Sequence, residues 1–110
     1  VPVTGQDAEL EAIQRILVGE QFMTVYKATK LETAAAAKLA SALAQGEEVP
    51  EGLVNGETDN GAAAIPSVLE EPVAVTIDNI MDTVIADEFR TIEELCTGDT
   101  ADTDFCTENG

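Results

Sequence analysis

The fold class can be inferred from VPVTGQDAELEAIQRILVGEQFMTVYK, residues 1–27. Residues 1–3 are typical of the end of a strand, and the apolar positions between residues 8 and 17 recur with a helical period. Gly19 follows at the place where a left-handed residue commonly ends a helix. The segment QFMTVYK, residues 21–27, is short and rich in β-forming residues, as in a buried strand. The stretch therefore predicts a strand, a helix and a second strand.

A second helix is predicted over ATKLETAAAAKLASALAQG, residues 28–46. Thr29 and Glu32 have the spacing of a capping box, and Gly46 is expected to end the helix. The alanines favour helix formation, and their small side chains would let the helix lie close to a sheet. Strands that alternate with helices are typical of parallel strands joined by crossover helices. We therefore predict an α/β fold built on a parallel-sheet strand-helix-strand-helix unit.

Beyond this unit the pattern is less regular. Residues 47–64 are interpreted as a long polar connection. Pro66 and Pro72 confine the extended segment that follows to a sheet edge or to an irregular crossing. The helical period returns in IDNIMDTVIADEF, residues 77–89.

The C-terminal end carries a possible helix start and two cysteines. Thr91 and Glu94 predict a capping box for a short helix that ends near Cys96. A polar, turn-rich segment separates Cys96 from Cys106, and we predict a disulfide between them, worth about 2–3 kcal/mol in the chain-entropy model. Such a bridge would indicate an oxidising compartment, whereas two unrelated reduced thiols are the alternative. Apart from the bridge, the tail is expected to be loose.

Composition bounds the class of protein. The 110 residues give room for one small domain. Five lysines and arginines against 22 aspartates and glutamates give a formal net charge of −17, which disfavours nucleic acid and anionic membranes as partners. Solubility or a saline habitat explains this charge more simply than cation binding does. No segment has the pattern of a signal peptide or a membrane span. The start at Val1, in what reads as a strand, predicts a piece of a longer polypeptide.

Two charged residues stand at the ends of the first two predicted strands. Asp7 follows one strand, and Lys27 ends the next, 20 residues later. Because parallel strands bring their carboxyl ends to one sheet edge, where ligands of open α/β sheets bind, both side chains should face one crevice. An acceptor and a donor together suit hydroxyl groups, which both donate and accept hydrogen bonds.

Each of these residues also has a purely structural interpretation. Asp7 could be a helix N-cap, and Lys27 a solvated strand end. Gln6 is a third candidate for ligand contact, or else a cap or a support for Asp7. Tyr26 points to the opposite side of its strand from Lys27, and we predict that it belongs to the core rather than to a stacking platform.

Signals for metals and catalysis are weak. The chain has no histidine, and the acidic segments DTADTDF and ETDNG lack the closing glutamate of a complete calcium loop. We interpret them as solvated loops and expect no metal and no cofactor. A nucleophile elbow, a P-loop and a dinucleotide-binding glycine pattern are all missing from the sequence. We therefore expect a protein that is not an enzyme.

Several segments together resemble the C-terminal portion of sugar-binding receptors of ABC importers, of the D-xylose-binding type among the type 1 periplasmic binding proteins. They are GQDAEL, IQRILVGEQFMTVYK, VNGETDNGAAAIPSVLEEPVAVTIDNIMDTVIADEF and TIEELC, and they cover about residues 1–95. The resemblance implies part of the C-terminal lobe of a two-lobed receptor that closes around a monosaccharide such as D-xylose or a related aldose. The aspartate of its GQDA motif and the lysine of its TVYK motif, both sugar contacts, fall on Asp7 and Lys27.

The resemblance also implies an organisation and a setting. We expect a strand-helix-strand-helix part of the C-terminal lobe over residues 1–64, an extended inter-lobe crossing segment over 65–76, and C-terminal helices with a bridged tail over 77–110. The implied partners are the monosaccharide, the missing N-terminal portion and a membrane permease, with self-association of the isolated piece. The implied location is extracytoplasmic, in the periplasm or at the cell surface, where a lipid anchor could be carried by the missing N-terminus.

The chain also departs from this family. Its members are about three times as long, Ala28 stands where proline often follows the TVYK lysine, and the two cysteines are not a general feature. Two alternatives to a transport receptor stay open at this point. One is the effector-sensing domain of a sugar-responsive transcription regulator, which shares the fold. The other is an acidic calcium-binding or adhesion module.

Overall fold

A computed structural model describes all 110 residues. The chain forms two compact units, one of residues 1–27 with 72–110 and the other of residues 28–71. In chain order the strands and α-helices are β1 (Thr4–Gln6), α1 (Leu10–Leu17), β2 (Met23–Tyr26), α2 (Thr29–Ala44), β3 (Gly56–Asp59), β4 (Ala64–Ser67), β5 (Val73–Val75), α3 (Ile92–Leu95) and α4 (Asp104–Asn109). None of the helices is both long enough and apolar enough to cross a membrane.

The first unit is built on a three-stranded sheet in the order β1-β2-β5. β1 and β2 are parallel, with Gly5 opposite Thr24, so the predicted parallel pair is confirmed. β5 runs antiparallel to β2, with Ala74 opposite Val25. The first strand begins at Thr4 rather than at residue 1, although the Phe22 N–H still donates to the carbonyl of Val3 over 2.8 Å.

Helix α1 covers this sheet with one apolar face. Its buried residues are Ala12, Ile13, Ile16 and Leu17, a spacing that keeps them on the same side of the helix. The helix ends before Gly19, whose φ of 82° confirms the predicted left-handed position. The core of the unit is completed by side chains that β5 and the C-terminal segments contribute, namely Val75, Ile80, Val84 and Leu95.

The segment predicted as a helix over residues 77–89 forms only in part. Turns flank a five-residue π-helix, Met81–Ile85, in which the Ala86 N–H donates to the Met81 carbonyl across the wide turn over 3.0 Å. The Thr83 hydroxyl donates to the Asn79 carbonyl over 2.7 Å, which competes with regular helical pairing. The helical spacing of the apolar residues nevertheless identified residues of the core, because Ile80 and Val84 are buried.

The C-terminal tail is ordered, so the expectation of a loose tail was wrong. The Thr91–Glu94 capping box is confirmed, with bonds of 3.2 and 3.0 Å between the side chains and the backbone N–H groups. A 3₁₀-helix, Gly98–Thr100, and α4 follow. The Cys96–Cys106 disulfide is formed, as predicted, and Cys106 is buried.

The second unit consists of helix α2 and a hairpin. The predicted capping box at Thr29 and Glu32 was wrong, because Ala28 occupies the N-cap and Thr29 is already helical. The stop at Gly46 is confirmed by its φ of 70°. Ala42 is the one buried residue of the helix, so most of its alanine surface stays uncovered. Strong helix propensity, rather than burial, accounts for this helix.

Residues 47–64 are not the continuous connection that was predicted, because β3 and β4 pair in antiparallel fashion, with Thr58 opposite Ile65. The turn between them is held by its own side chains. Asp59 Oδ1 accepts the N–H of Gly61 over 2.8 Å, and Asn60 Oδ1 accepts the N–H groups of Ala62 and Ala63 over 2.9 Å each. The Asp-Asn-Gly sequence is a turn signal that the polar composition of the segment obscured.

Candidate functional site

Asp7 and Lys27 meet at the carboxyl ends of the two parallel strands. Lys27 Nζ lies 2.9 Å from Asp7 Oδ1. The two residues directly follow neighbouring strands, in which Gln6 stands opposite Val25. The Asp7 side chain is 59% exposed and that of Lys27 is 44% exposed. The expected acceptor and donor therefore share one edge of the sheet, and both remain accessible to a ligand.

The backbone at Asp7 has an unusual conformation. Asp7 has a φ of 75° and Ala8 a φ of 48°, so two consecutive residues other than glycine occupy the left-handed region. The Asp7 N–H donates to the Val25 carbonyl over 2.7 Å, and the Ala8 N–H donates to the Thr24 hydroxyl oxygen over 3.2 Å. These bonds tie the turn to β2, while the Asp7 carboxylate contacts Lys27.

Asp7 does not cap the helix, so that interpretation was wrong. The N-cap position of α1 is Glu9, and no side chain caps its first N–H groups. The chain uses the residues between β1 and α1 for the left-handed turn, which leaves the Asp7 carboxylate to pair with Lys27. Gln6 ends β1 with an exposed side chain and does not cap the helix either. A ligand contact by Gln6 stays a prediction.

Arg90 approaches the same turn from the C-terminal half of the chain. Its Nε donates to the Ala8 carbonyl over 3.3 Å, and its Nη2 lies 3.5 Å from Glu9 Oε2. The guanidinium carbon is 4.6 Å from the centre of the Phe89 ring. Only 21% of the Arg90 side chain is exposed, so the residue packs against the turn rather than extending into solvent.

Tyr26 supports the site from inside. It is 3% exposed, which confirms the prediction that it belongs to the core. Its hydroxyl donates to Asp87 Oδ2 over 3.0 Å, and its ring centre is 5.1 Å from that of Phe89. Burial, together with the hydrogen bond and the negative charge of Asp87, raises the pKa of Tyr26 above its ordinary value of 10.0. The strand end that carries Lys27 is thereby anchored.

The acidic segments considered for calcium have structural uses. Asp59 and Asn60 hold the hairpin turn through their side-chain oxygens. Thr103, within DTADTDF, caps α4 by accepting the Cys106 N–H. The structure brings together no group of three or more His, Cys, Asp or Glu side chains that could hold a metal ion.

Sequence reasoning missed Thr24 and Arg90, which both contact the turn at Asp7. Thr24 lies in the segment predicted to be a buried strand, and that prediction gave Thr24 no contact with the turn. Arg90 could have been singled out as a candidate, because it is one of only five basic residues in a chain with 22 acidic ones. Its contact with Ala8 joins residues 82 positions apart, and no local pattern predicts such a contact.

Comparisons with known proteins give a consistent result. No protein-family model matches the chain. It is 42% identical over 95 residues to the D-xylose-binding periplasmic protein of Haemophilus influenzae and 43% identical to that of Escherichia coli, in each case over 86% of this chain. It is 38% identical over 77 residues to the multiple sugar-binding periplasmic receptor ChvE of Rhizobium radiobacter. The chain spans about 28% of the length of the two xylose-binding relatives and 22% of that of the receptor.

Two solved structures have the same fold over most of the chain. A carbohydrate-transporter solute-binding protein from Chloroflexus aurantiacus, in complex with D-glucose, is 33% identical over 84% of this chain, with a TM-score of 0.78. An ABC transporter solute-binding protein from Clostridium phytofermentans, with bound β-D-glucose, is 31% identical over 86%, with a TM-score of 0.74. The chain covers 26% and 29% of those two proteins. In sequence and in fold, the chain therefore matches a C-terminal part of periplasmic sugar-binding receptors.

Proposed function

We propose that this chain is the C-terminal portion of the sugar-binding component of an ABC importer, and that Asp7 and Lys27 bind hydroxyl groups of a monosaccharide. The observation that carries this proposal is the 2.9 Å contact between the two charged groups at the carboxyl edge of the parallel strands. Both groups are about half exposed, so a ligand can reach each without unfolding the turn.

The chemistry of the pair suits a carbohydrate. The Asp7 carboxylate only accepts hydrogen bonds and the Lys27 ammonium only donates them, whereas every sugar hydroxyl does both. Neighbouring hydroxyls of one sugar ring can therefore bond to the two groups together. A hydrogen bond to a charged group contributes about 1.5–3 kcal/mol. Because the two charges balance each other, a neutral sugar can bind without leaving a net charge in the closed cleft.

The function is binding and transport rather than catalysis. Sugar binding closes the two lobes of the complete receptor, and the closed form is recognised by a membrane permease. Gln6, next to Asp7 at the end of β1, is a candidate for a third contact with the sugar. The extended segment at residues 65–76 would cross between the lobes. An extracytoplasmic location is supported by the periplasmic relatives and by the disulfide.

The ligand is an aldose such as D-xylose or D-glucose. The two relatives that match over 95 residues are named for D-xylose, and the two solved structures contain glucose. The two sugars differ by one hydroxymethyl group. A charged pair that bonds ring hydroxyls would contact either sugar, so discrimination would come from other surfaces of the complete receptor.

Isothermal titration calorimetry on a full-length receptor that carries these residues tests the proposal. D-xylose and D-glucose are titrated into the wild type and into the Asp7→Asn and Lys27→Met variants. Asparagine tolerates the left-handed backbone at position 7, so the first change removes the charge without straining the turn. Each variant should weaken binding about 10- to 150-fold, the equivalent of one charged hydrogen bond.

Lys30→Met provides the matched control, because Lys30 is an exposed lysine on α2, outside the first unit. It removes the same charge and should leave the affinity unchanged. Thermal melts establish that each variant is folded. Unchanged affinity in both Asp7→Asn and Lys27→Met would refute the role of the pair. Ca²⁺ is titrated into the wild type as well, and its binding without any heat from either sugar would instead support the acidic calcium-binding module.

A further inference from the structure

We propose that Thr24 and Arg90 are positioning residues that hold the Asp7 carboxylate in its sugar-binding position before the sugar arrives. This inference rests on the proposed function, because its consequence is measured as sugar affinity. It adds two residues that contact the turn at Asp7 and Ala8, and it assigns them a role through that turn.

The turn needs support because its backbone is strained. Asp7 and Ala8 both have positive φ values, which side chains other than glycine adopt at an energetic cost. The cost is higher for Ala8, because alanine lacks the side-chain oxygen that lets aspartate tolerate this region. An unsupported turn would relax to ordinary backbone angles and turn the Asp7 carboxylate away from Lys27.

Both polar groups of Ala8 are held from outside the turn. Its N–H donates to the Thr24 hydroxyl oxygen over 3.2 Å, and its carbonyl accepts from Arg90 Nε over 3.3 Å. Ala8 and Thr24 are both completely buried, so water cannot replace the first of these bonds. The Asp7 N–H is held by the Val25 carbonyl over 2.7 Å. The peptide units on both sides of Asp7 are thereby fixed to β2, and the next unit, between Ala8 and Glu9, is fixed to Arg90.

Arg90 is itself well anchored. Its guanidinium lies over the Phe89 ring and 3.5 Å from Glu9 Oε2. Phe89 packs against Tyr26, the residue before Lys27. The segment that carries Phe89 and Arg90 therefore contacts the supports of both charged side chains. A preorganised pair binds a ligand more tightly, because the cost of ordering has been met during folding.

The test is a double-mutant cycle between Thr24 and Asp7, measured by calorimetry with D-xylose and D-glucose on the full-length receptor. Thr24→Val keeps the shape of the side chain but removes the acceptor for Ala8, and Thr24→Ser keeps the acceptor. Thr24→Val should weaken binding about tenfold, as expected for one lost hydrogen bond, whereas Thr24→Ser should weaken it less than about threefold. In an Asp7→Asn background, Thr24→Val should weaken binding less than about twofold.

The cycle separates positioning from general stabilisation. A residue that merely stabilises the fold would reduce affinity equally with Asp7 or Asn at position 7. An equal loss in both backgrounds, or an equal effect of the valine and serine variants, would overturn the inference. Arg90→Met tests the second support in the same way. Its matched control is Arg15→Met, which removes a half-exposed arginine of α1 that contacts Glu11 and Gln21 instead of the turn.

A second measurement distinguishes failure of this inference from failure of the proposed function. Amide hydrogen exchange needs no ligand, so it reports on the turn even if the wild type binds no sugar. Thr24→Val should speed exchange of the Ala8 N–H at least about tenfold, while the Val84 N–H in the core is unaffected. If the Ala8 N–H exchanges at the wild-type rate in this variant, Thr24 does not hold the turn. Absence of sugar binding by the wild type would refute the proposed function alone.

Discussion

The two compact units of this chain are stabilised in different ways. The unit of residues 1–27 and 72–110 contains nearly all of the buried apolar side chains, and within residues 28–71 only Ala42 belongs to that group. The second unit relies on the helix propensity of its alanines and on the side-chain bonds of its hairpin turn. Only the first unit is thus organised around an apolar core.

The difference bears on the candidate site, because Asp7 and Lys27 lie entirely within the unit that has the core. A site that must hold two charged groups 2.9 Å apart needs rigid supports. β2 contributes Val25 and Thr24 to hold the turn at Asp7, and the buried ring of Tyr26 precedes Lys27. Four sets of substitutions test this difference between the two units, and they are taken in order of decreasing loss of stability.

The largest loss of stability is expected for Ile13→Ala in α1. Ile13 is completely buried, so the change removes apolar contacts and leaves a cavity, at a cost of about 2–5 kcal/mol. Leu43→Ala is the control in α2, where the leucine is 63% exposed, and it should change the free energy of unfolding by less than about 0.5 kcal/mol. Urea denaturation of the 110-residue chain measures both. Similar losses at the two positions would contradict the contrast between the units.

Removal of the disulfide should have the next largest effect. Replacement of Cys96 and Cys106 by alanine should cost about 2–3 kcal/mol, because a bridge with a sequence separation of 10 closes a short loop. The loss should be concentrated in α3 and α4, and amide exchange there should accelerate more than in α2. Accelerated exchange in α2 with protected C-terminal helices would show that the bridge stabilises the other unit instead.

Tyr26→Phe should cost about 1 kcal/mol, the value of one hydrogen bond, because it removes the donor to Asp87 and keeps the ring. The raised pKa also predicts a pH dependence. The unfolded chain loses the tyrosine proton near pH 10.0 and the folded chain only at higher pH, so the wild type should lose stability as the pH rises through this interval.

The phenylalanine variant lacks this contribution and should lose less stability over the same interval. Tyr26 is the only tyrosine and the chain has no tryptophan, so absorbance near 295 nm titrates this one group. A Tyr26 pKa at or below 10.0 in the folded chain would contradict its burial against Asp87.

Ala37→Gly should have the smallest effect of the four. Ala37 is exposed in the middle of α2, and glycine in place of alanine costs about 0.5–1 kcal/mol of helix stability at such a position. Amide exchange should accelerate within residues 29–44 and stay unchanged in α1. Equal acceleration in both helices would mean that the two units unfold together, and it would remove the contrast on which these predictions depend.

The sequence was sufficient for the parallel pair of strands and for placing Asp7 and Lys27 at the same edge of the sheet, but not for their direct contact. Both follow from the spacing of apolar residues along the chain and from the rule that the carboxyl ends of parallel strands lie at the same edge of a sheet. The capping boxes show where local reasoning becomes ambiguous. Thr91 and Glu94 form one, whereas Thr29 and Glu32 have the same spacing and form none, because the helix begins one residue earlier.

The errors have physical causes. The hairpin was missed because β3 is polar and both strands are largely exposed, so no alternating apolar pattern marked them. The tail was expected to be loose apart from its disulfide, yet a 3₁₀-helix and the cap at Thr103 order it as well. The supports of Asp7 could not be predicted, because the contacts of Thr24 and Arg90 with Ala8 depend on the tertiary fold.

A crystal structure of a full-length receptor that carries these residues, in complex with D-xylose or D-glucose, would show directly whether Asp7 and Lys27 bind the sugar. We expect sugar hydroxyl oxygens within about 2.7–3.2 Å of both an Asp7 carboxylate oxygen and Lys27 Nζ, the normal range for hydrogen bonds. A sugar bound elsewhere in the receptor, with Asp7 and Lys27 in contact only with each other and with solvent, would contradict the account.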